Sequence, residues 1–269
     1  MNDFDRQGDW LEVDSQVCAP TRERPMIAVW FSCGAASAVA AKKTIEKYGD
    51  THKIRIVNNP VIEEDFDNRR FLNDVSKWLG VEIELAYHPK FPSCSAVSVW
   101  DNRKFMSAPN GAPCTQVLKK QARQYWESEN KPDHHVLGFT ADEKKRHDRF
   151  VLTERGLLPV LIEDGTTKSD CYRILQEAGL ELPRIYKMGY PNANCVGCVK
   201  ATSPTYWNHV RVQHPDVFWV RSQQSRRLGA RLVRVQGERI FLDQLDPDAK
   251  GKPLKSLDFE CGIFCEEVA

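Results

Sequence analysis

Short apolar runs alternate with helix-length amphipathic stretches through the first two thirds of the chain, and this alternation limits the fold more than any other feature. The run MIAVWF at 26–31 predicts a buried strand, and ASAVAAKKTIEKY, which ends before Gly49, predicts a helix. Further strands are predicted at 53–58, 81–86, 134–139 and 159–162, and further helices at 66–79, 115–130 and 168–179. Because strand–helix–strand units connect parallel strands, the pattern predicts a parallel sheet.

The pattern changes near residue 184, which divides the chain into predicted units. Residues 1–25 are polar and predict an N-terminal arm, 26–183 predict an α/β domain, and 184–269 predict a cysteine-containing C-terminal subdomain packed on it. Within the last unit, helices are predicted near 203–229 and a hairpin over 231–242.

Composition bounds the class of protein. With 269 residues, 41% of them hydrophobic, the chain can bury a sizeable core. No apolar stretch approaches the about 20 residues that span a bilayer, and the amino terminus MNDFDRQGDW is too acidic for a signal peptide. We therefore expect a cytoplasmic protein without a membrane partner. The net charge of +1 means that a nucleic acid would have to meet a local basic patch or another subunit.

The stretch FSCGAAS at 31–37 joins the first predicted strand to the first predicted helix. Such a junction collects unpaired backbone N–H groups and the positive end of the helix dipole, which together bind anions. Ser32 and Ser37 add hydroxyls, and Gly34 adds flexibility. The alternative interpretation is that small residues simply pack the helix on the sheet. The stretch is neither a Walker loop nor a Rossmann fingerprint.

The nine cysteines are not spread evenly along the chain. Cys195 and Cys198 form C-x2-C, and Cys261 and Cys265 form C-x3-C. In a reducing compartment this spacing indicates metal or redox chemistry before structural disulfides.

Five stretches, in order, resemble the phosphoadenosine phosphosulfate and adenosine phosphosulfate reductase family of the adenine nucleotide alpha-hydrolase-like, or PP-loop, superfamily. They are SCGAAS (32–37), GAPCTQVLKK (111–120), LGFTADEKKR (137–146), IYKMGYPNANCVGC (185–198) and ECGIFC (260–265). The resemblance implies an α/β fold with a doubly wound, mainly parallel sheet flanked by helices and a cysteine-rich C-terminal part. It makes 26–183 a nucleotide-binding domain, with the nucleotide across the carboxyl ends of the strands.

By this resemblance, the junction would hold the nucleotide phosphates through Ser32, Cys33, Gly34, Ala35, Ala36 and Ser37. Asn59 and Glu64 are candidates for the nucleotide hydroxyls or base edges, although acidic loop residues also cap helices. Lys119 and Lys144 are candidate cations, whose alternative is a solvated helix face. Arg146 is the predicted catalytic phosphate clamp, because a guanidinium binds two oxygens at once.

The resemblance also assigns the cysteines. In the adenosine phosphosulfate reductases the matching cysteine pair and the Cys-Cys segment carry a [4Fe–4S] cluster, which implies Cys195, Cys198 and Cys114 as ligands. Cys261 is the predicted fourth ligand; the alternatives are Cys265 or a fourth iron left open for exogenous sulfide. A structural zinc held by the two cysteine pairs is the alternative. Cys261 also matches the family's nucleophile. The family's following histidine is replaced here by Phe264, and Cys265 is added, so that a catalytic persulfide relay between Cys261 and Cys265 is a further hypothesis.

The doubled tail cysteine favours one branch of the superfamily, the compact ATP pyrophosphatases of DNA phosphorothioation systems. The resemblance then implies ATP with Mg²⁺ as cofactor, adenylation of an acceptor oxygen for sulfur insertion, and a cysteine desulfurase as sulfur donor. The protein would bind DNA directly or through partner subunits, and it could form a homo-oligomer. A sulfonucleotide reductase that releases sulfite is one alternative. A non-catalytic, zinc-bound adapter is another, because SCGAAS lacks the second glycine and the acidic residue of SGGxDS.

Overall fold

The structure is a computed structural model that describes residues 24–108 and 111–254. Two sequence-based predictions fall outside these ranges: the arm, for residues 1–23, and the tail motif with Cys261 and Cys265.

A parallel sheet forms the centre of the fold, which confirms the predicted α/β class with a doubly wound sheet flanked by helices. The strands of the described residues are β1 (Met26–Trp30), β2 (Lys53–Asn58), β3 (Ile83–Leu85), β4 (His134–Val136) and β5 (Leu157–Leu158), in the order β3-β2-β1-β4-β5. Ile27 pairs with Ile54 on one side and with His134 on the other. The chain therefore reverses its direction of winding between β1 and β4, where open α/β sheets bind their ligands.

Helices connect and cover these strands: α1 (Ala35–Tyr48), α2 (Asp67–Leu79), α3 (Ala96–Arg103), α4 (Ala122–Asn130), α5 (Lys144–Phe150), α6 (Val160–Glu163) and α7 (Lys168–Glu177). A π-helical segment, Thr115–Gln121, runs directly into α4. One prediction is wrong: the apolar run 159–162 is the short helix α6, and the edge strand β5 lies just before it. Four apolar residues do not distinguish a strand from a buried helical turn.

The part of the chain after residue 183 contains α8 (Arg184–Lys187), α9 (Pro204–Gln213), α10 (Pro215–Arg227) and an antiparallel hairpin of β6 (Val233–Val235) and β7 (Glu238–Ile240). The predicted helices and hairpin in this part are confirmed. None of the helices in 24–108 and 111–254 is long and apolar enough to cross a membrane.

Two large hydrophobic clusters hold these elements together. The first packs α1, through alanines such as Ala38 and Ala41, against β1, β2 and α7. The second packs Trp207 and Tyr206 of α9 against α3 and the π-helical segment, through Val99 and Leu118. Because the second cluster combines residues 185–245 with residues 61–118, it fixes the C-terminal part on the loops that follow β2 and β3. The predicted boundary at 183/184 stays a prediction.

Candidate functional site

The junction between β1 and α1 is held by its two serines. Ser37 Oγ accepts a hydrogen bond from the backbone N–H of Ser32 at 3.1 Å and donates one to the carbonyl of Gly34 at 2.9 Å. Ser32 Oγ lies 3.2 Å from Ser37 Oγ. The first turn of α1 has no side-chain cap in the described chain. The result is a fixed turn with the positive end of a 14-residue helix directed at one point.

The residue that makes the sharp turn is Cys33 rather than Gly34. Cys33 has a φ of 58°, in the left-handed region, whereas Gly34 has an extended backbone with a φ of −99°. The Cys33 thiol is buried and lies 3.6 Å from the amide nitrogen of Asn58. Burial raises its pKa far above the ordinary range, and Glu64 adds to this effect. Cys33 therefore shapes the turn with its backbone, and its thiol faces the core.

The loop after β4 supports the turn from the other side of the switch point. A methyl group built on Gly138 would lie 2.7 Å from the backbone nitrogen of Ser37 and 2.9 Å from the carbonyl carbon of Ala36. Only a residue without Cβ permits this approach. The two loops that meet at the topological switch point are thus in direct backbone contact.

A cavity with about 990 Å³ of empty space, part of it open to solvent, lies above this junction. Its floor is the turn and the first residues of α1, and aromatic and aliphatic side chains form one wall, among them Trp30, Leu137, Phe139 and Phe150. Polar groups occupy other positions of the lining: Asn59, Lys119, Glu143, Arg146, Lys168, Tyr186, Asn192 and Asn194. The predicted site residues Ser32, Gly34, Ala35, Ala36, Ser37, Asn59, Lys119 and Arg146 all line it.

Two of the predicted cations in the cavity are held by carboxylates. Lys119 is buried on the π-helical segment, with its Nζ 3.0 Å from Glu64 Oε1 and 2.7 Å from the carbonyl of Asn59. Arg146 donates to Glu143 Oε1 at 2.9 Å, and its guanidinium lies over the ring of Phe139. Glu64 therefore orients Lys119 from behind the cavity.

Lys168, at the start of α7, is a cavity cation that the sequence analysis missed. Its Nζ donates to the carbonyl of Pro191 and to Asn192 Oδ1, both at 3.1 Å. Both acceptors are neutral, and Lys168 forms no ion pair within 24–108 and 111–254. The capping box of Thr167 and Asp170 fixes the start of α7 and hence the position of Lys168. The capping pattern TKSD, which follows Gly165 and Thr166, marks the start of α7 in the sequence but does not show that this helix start reaches the cavity.

Lys144 was predicted to bind the nucleotide, but it does not line the cavity. Its side chain is 64% exposed and forms an ion pair with Asp148 one turn further along α5. Lys144 therefore matches its alternative, a solvated helix face.

The cysteine pair lies on the turn next to the cavity wall. Asn194 lines the cavity, and Cys195, its neighbour, forms an isolated antiparallel bridge with Glu64. The backbone N–H of Val196 donates to the carbonyl of Glu63 at 3.0 Å. The loop that carries Glu64, the partner of Lys119, is thus hydrogen-bonded to the loop that carries the cysteines.

A buried cation accompanies the pair. Arg221 of α10 is 4% exposed, stacks on Trp100 with its guanidinium carbon 4.4 Å from the ring centroid, and lies within electrostatic range of both thiols. Burial lowers the pKa of this guanidinium, while Cys195 raises it. A positive charge beside two sulfurs favours thiolates as ligands or nucleophiles.

Cys114 packs against the same hydrophobic cluster as Cys195 and Cys198. In the described part of the chain, however, no three histidine, cysteine or acidic side chains lie close enough to share a metal ion. The fourth predicted ligand, Cys261, lies outside that part. The described residues therefore provide a cysteine pair, and they do not by themselves fit a [4Fe–4S] cluster or a zinc ion.

Comparisons with known proteins give little beyond the fold. No protein-family model matches the chain, and no curated protein matches it. Among solved structures, the chain is similar to the U34-tRNA thiolase NcsA from Methanococcus maripaludis with its [4Fe–4S] cluster, with a TM-score of 0.42 and 11% identity. The match covers 77% of this chain and 70% of that one. A likeness at this level transfers neither substrate nor cofactor.

Proposed function

We propose that this protein is an ATP pyrophosphatase of the PP-loop kind, which adenylates an acceptor oxygen so that sulfur can replace it. The observation that carries the proposal is the cavity at the switch point, where the uncapped start of α1 and Lys168 face one space. Backbone N–H groups at a helix start and a cation without a carboxylate partner are what a polyphosphate requires.

The cavity lining has an apolar part, which suits the adenine ring of ATP, and a positively charged part, which suits its phosphates. The wall with Trp30, Leu137 and Phe139 is apolar, as the binding of an adenine ring requires. Arg146 and Lys119 add two further cations to the lining. Glu143 is the carboxylate of the described lining, and carboxylates are the side chains that Mg²⁺ prefers.

The chemistry follows from this charge distribution. An acceptor oxygen attacks the α-phosphorus of ATP, an O–P bond forms, and the bond to pyrophosphate breaks. Cations and Mg²⁺ stabilise the negative charge that grows on the leaving pyrophosphate. A sulfur nucleophile at the oxidation level of sulfide then displaces AMP from the adenylated acceptor. No step is assigned to an iron–sulfur cluster, because the described residues do not fit one.

DNA phosphorothioation is the proposed biological setting, with a cysteine desulfurase as sulfur donor. The support is the pairing of a phosphate cavity with a cysteine turn whose first cysteine follows the cavity residue Asn194. In this setting Cys261 and Cys265 relay the sulfur as a persulfide to one cysteine of the pair Cys195 and Cys198. The second thiol of the pair then attacks the inner sulfur of that persulfide, which releases sulfide beside the adenylated acceptor and leaves a disulfide that an external thiol reduces.

The test is product analysis with purified protein. ATP with Mg²⁺, a single-stranded oligonucleotide and sulfide should yield AMP and pyrophosphate, and Lys168→Met should lose most of this activity while the exposed Lys77→Met keeps it. ADP and phosphate as products would contradict adenylation.

A second tube contains phosphoadenosine phosphosulfate and a thiol reductant. Sulfite from this tube, with ATP untouched in the first, would establish the reductase instead. If calorimetry finds that the protein binds neither ATP nor phosphoadenosine phosphosulfate, the remaining candidate is the non-catalytic adapter.

A further inference from the structure

A second pocket lies at the same edge of the sheet as the nucleotide cavity. The chain leaves β3 at Leu85, and the carbonyl of Ala86 accepts a hydrogen bond from the side chain of the cavity residue Asn59 at 2.9 Å. Two residues further on, His88 forms the floor of the second pocket. Because β1, β2 and β3 are parallel, their carboxyl ends lie at one edge of the sheet, and residues of the two pockets follow these ends, Asn59 after β2 and His88 after β3.

The floor of the second pocket is aromatic. The buried ring of His88 lies between Phe91 and Tyr125, with ring centroids 5.4 Å and 4.9 Å away and both contacts edge-to-face. Gln121 lines the same pocket. Burial lowers the pKa of His88, so the floor is neutral. Tyr125 is 43% exposed and leaves part of its ring accessible from the pocket.

The rim of the pocket is positive and rich in amides. Lys90 and Arg103 line it, both are exposed, and neither forms an ion pair with any residue of 24–108 or 111–254. Both act electrostatically on His88, and therefore both charges lie near the floor. Asn102 and Gln124 add side-chain amides that both donate and accept hydrogen bonds.

We propose that this pocket binds a nucleotide unit of a single-stranded nucleic acid. An accessible aromatic ring stacks on a base, two cations contact the flanking phosphates, and amides meet the base edge, which is the combination that single strands require. A duplex presents its phosphates but keeps its bases stacked inside, so it would use the cations alone. The identification of this strand as the sulfur acceptor rests on the proposed function, whereas the binding does not.

One helical segment connects the two pockets. Lys119 lines the nucleotide cavity and Gln121 lines the second pocket, and both belong to the π-helical segment Thr115–Gln121. The strand bound at the second pocket is thereby placed next to the cavity in which adenylation is proposed.

The experiment measures binding of fluorescein-labelled 12-nucleotide single strands, oligo(dT) and oligo(rU), and of a 12-base-pair duplex, without ATP. We expect the full-length protein to bind a single strand about tenfold more tightly than the duplex, since stacking contributes only with single strands. Oligo(dT) against oligo(rU) distinguishes DNA from RNA. Tyr125→Leu should weaken single-strand binding about tenfold and leave duplex binding unchanged.

Removal of the cations should change the salt dependence. Lys90→Ala combined with Arg103→Ala should lower the slope of log affinity against log salt by about 1.4, two phosphate contacts at about 0.7 each. The matched control is Lys77→Ala with Arg155→Ala, two exposed cations near the opposite, amino edge of the sheet, which should leave the slope unchanged.

Three results would overturn the proposal: no single-strand binding at 50 mM salt, equal slopes for the two double variants, or equal competition by poly-glutamate of the same charge. Failure of the proposed function is distinguished by the ATP assay. If the oligonucleotide binding results are as expected but no AMP is formed, the proposed adenylation is wrong and the assignment of the second pocket to a single strand still holds.

Discussion

The Nζ of Lys168 lies 3.1 Å from Oδ1 of Asn192, so the first residue of α7 holds a loop that lines the cavity above the β1–α1 turn. This contact joins the helix after β5 to the loop before the cysteine turn. Because Asn192 is neutral, the contact leaves the full positive charge of Lys168 for a ligand.

Lys168→Met should therefore weaken ATP binding about tenfold to a hundredfold, the loss expected for a hydrogen bond to a charged group. Lys144→Met should bind ATP like the wild type, because its ammonium pairs with Asp148 outside the cavity. Isothermal titration calorimetry of both variants measures the difference. Equal losses in the two variants would contradict the placement of both lysines.

Gly138→Ala should destabilise the protein by about 1–3 kcal/mol, the usual cost of overpacking, and should reduce nucleotide affinity. The added methyl group would lie 2.7 Å from Ser37 N and would displace the turn. Gly34→Ala is the matched comparison, since its methyl group would have Tyr186 Oη at 3.4 Å as nearest neighbour. Urea unfolding measures the free energy of unfolding of the two variants. Equal stability of Gly138→Ala and Gly34→Ala would contradict the close approach of Gly138 to the backbone of Ser37.

Glu64→Gln should lower the free energy of unfolding by about 3 kcal/mol or more, because it removes the carboxylate from a buried ammonium. The side chains of Lys119 and Glu64 are 6% and 11% exposed, so water cannot replace the lost partner. The double variant Lys119→Met, Glu64→Leu should lose less, since no charge then stays buried. If both proteins unfold at the same urea concentration, the pair is not coupled as described.

Cys33 and Cys171 should resist alkylation in the folded protein. Burial raises the pKa of both thiols, that of Cys171 to about 12, and the thiolate is the reactive form. At pH 8, iodoacetamide followed by peptide mass spectrometry should find both cysteines unlabelled, and 8 M urea should make both reactive. Labelling of Cys33 under native conditions would mean that the β1–α1 turn opens.

Stability should fall in acid through His135. Burial is the main cause that lowers its pKa to about 4, and Arg123 and His134 act in the same direction. The unfolded histidine titrates at 6.5, so below that pH the unfolded state binds a proton that the folded state does not. The loss should grow from pH 6.5 down to pH 4 and reach about 3 kcal/mol.

Trp30 donates a hydrogen bond to Nδ1 of His135 at 3.2 Å, which requires the neutral ring. His135→Asn keeps an acceptor near this position and should reduce the pH dependence. Urea unfolding at pH 7 and pH 4.5 tests this, and an unchanged pH dependence in the variant would assign the effect to another group.

The sheet and α1 could be predicted because β1 and β2 are buried runs and the alanines of α1 repeat with helical periodicity. The helix α3 was missed for a tertiary reason. Its local cap is Ser95, whose Oγ accepts from the backbone N–H of Ser98. The N–H groups of Ala96 and Val97, however, donate to the carboxylate of Glu63 on a distant loop. No local pattern records such a contact.

The site was predictable where its residues are local in sequence, as in the turn at 32–37. It was not predictable for Lys168, which reaches the cavity only because β5 and α7 fold beside α1. Lys144 shows the reverse: it belongs to a matched stretch, yet the start of α5 directs it toward Asp148. Which face of a short helix meets the cavity depends on packing, and packing is not visible in a single sequence.

The π-helical segment Thr115–Gln121 has one more consequence for the proposed acceptor strand. Lys119 and Gln121 stand two residues apart on one helical segment with a mostly buried face, and this segment sets the spacing between the cavity and the second pocket. A strand whose base is bound in the second pocket and whose backbone is adenylated at the cavity would carry sulfur at a constant number of nucleotides from the bound base. Sulfur would then be inserted at a fixed offset from that nucleotide, even in strands that differ at every other position.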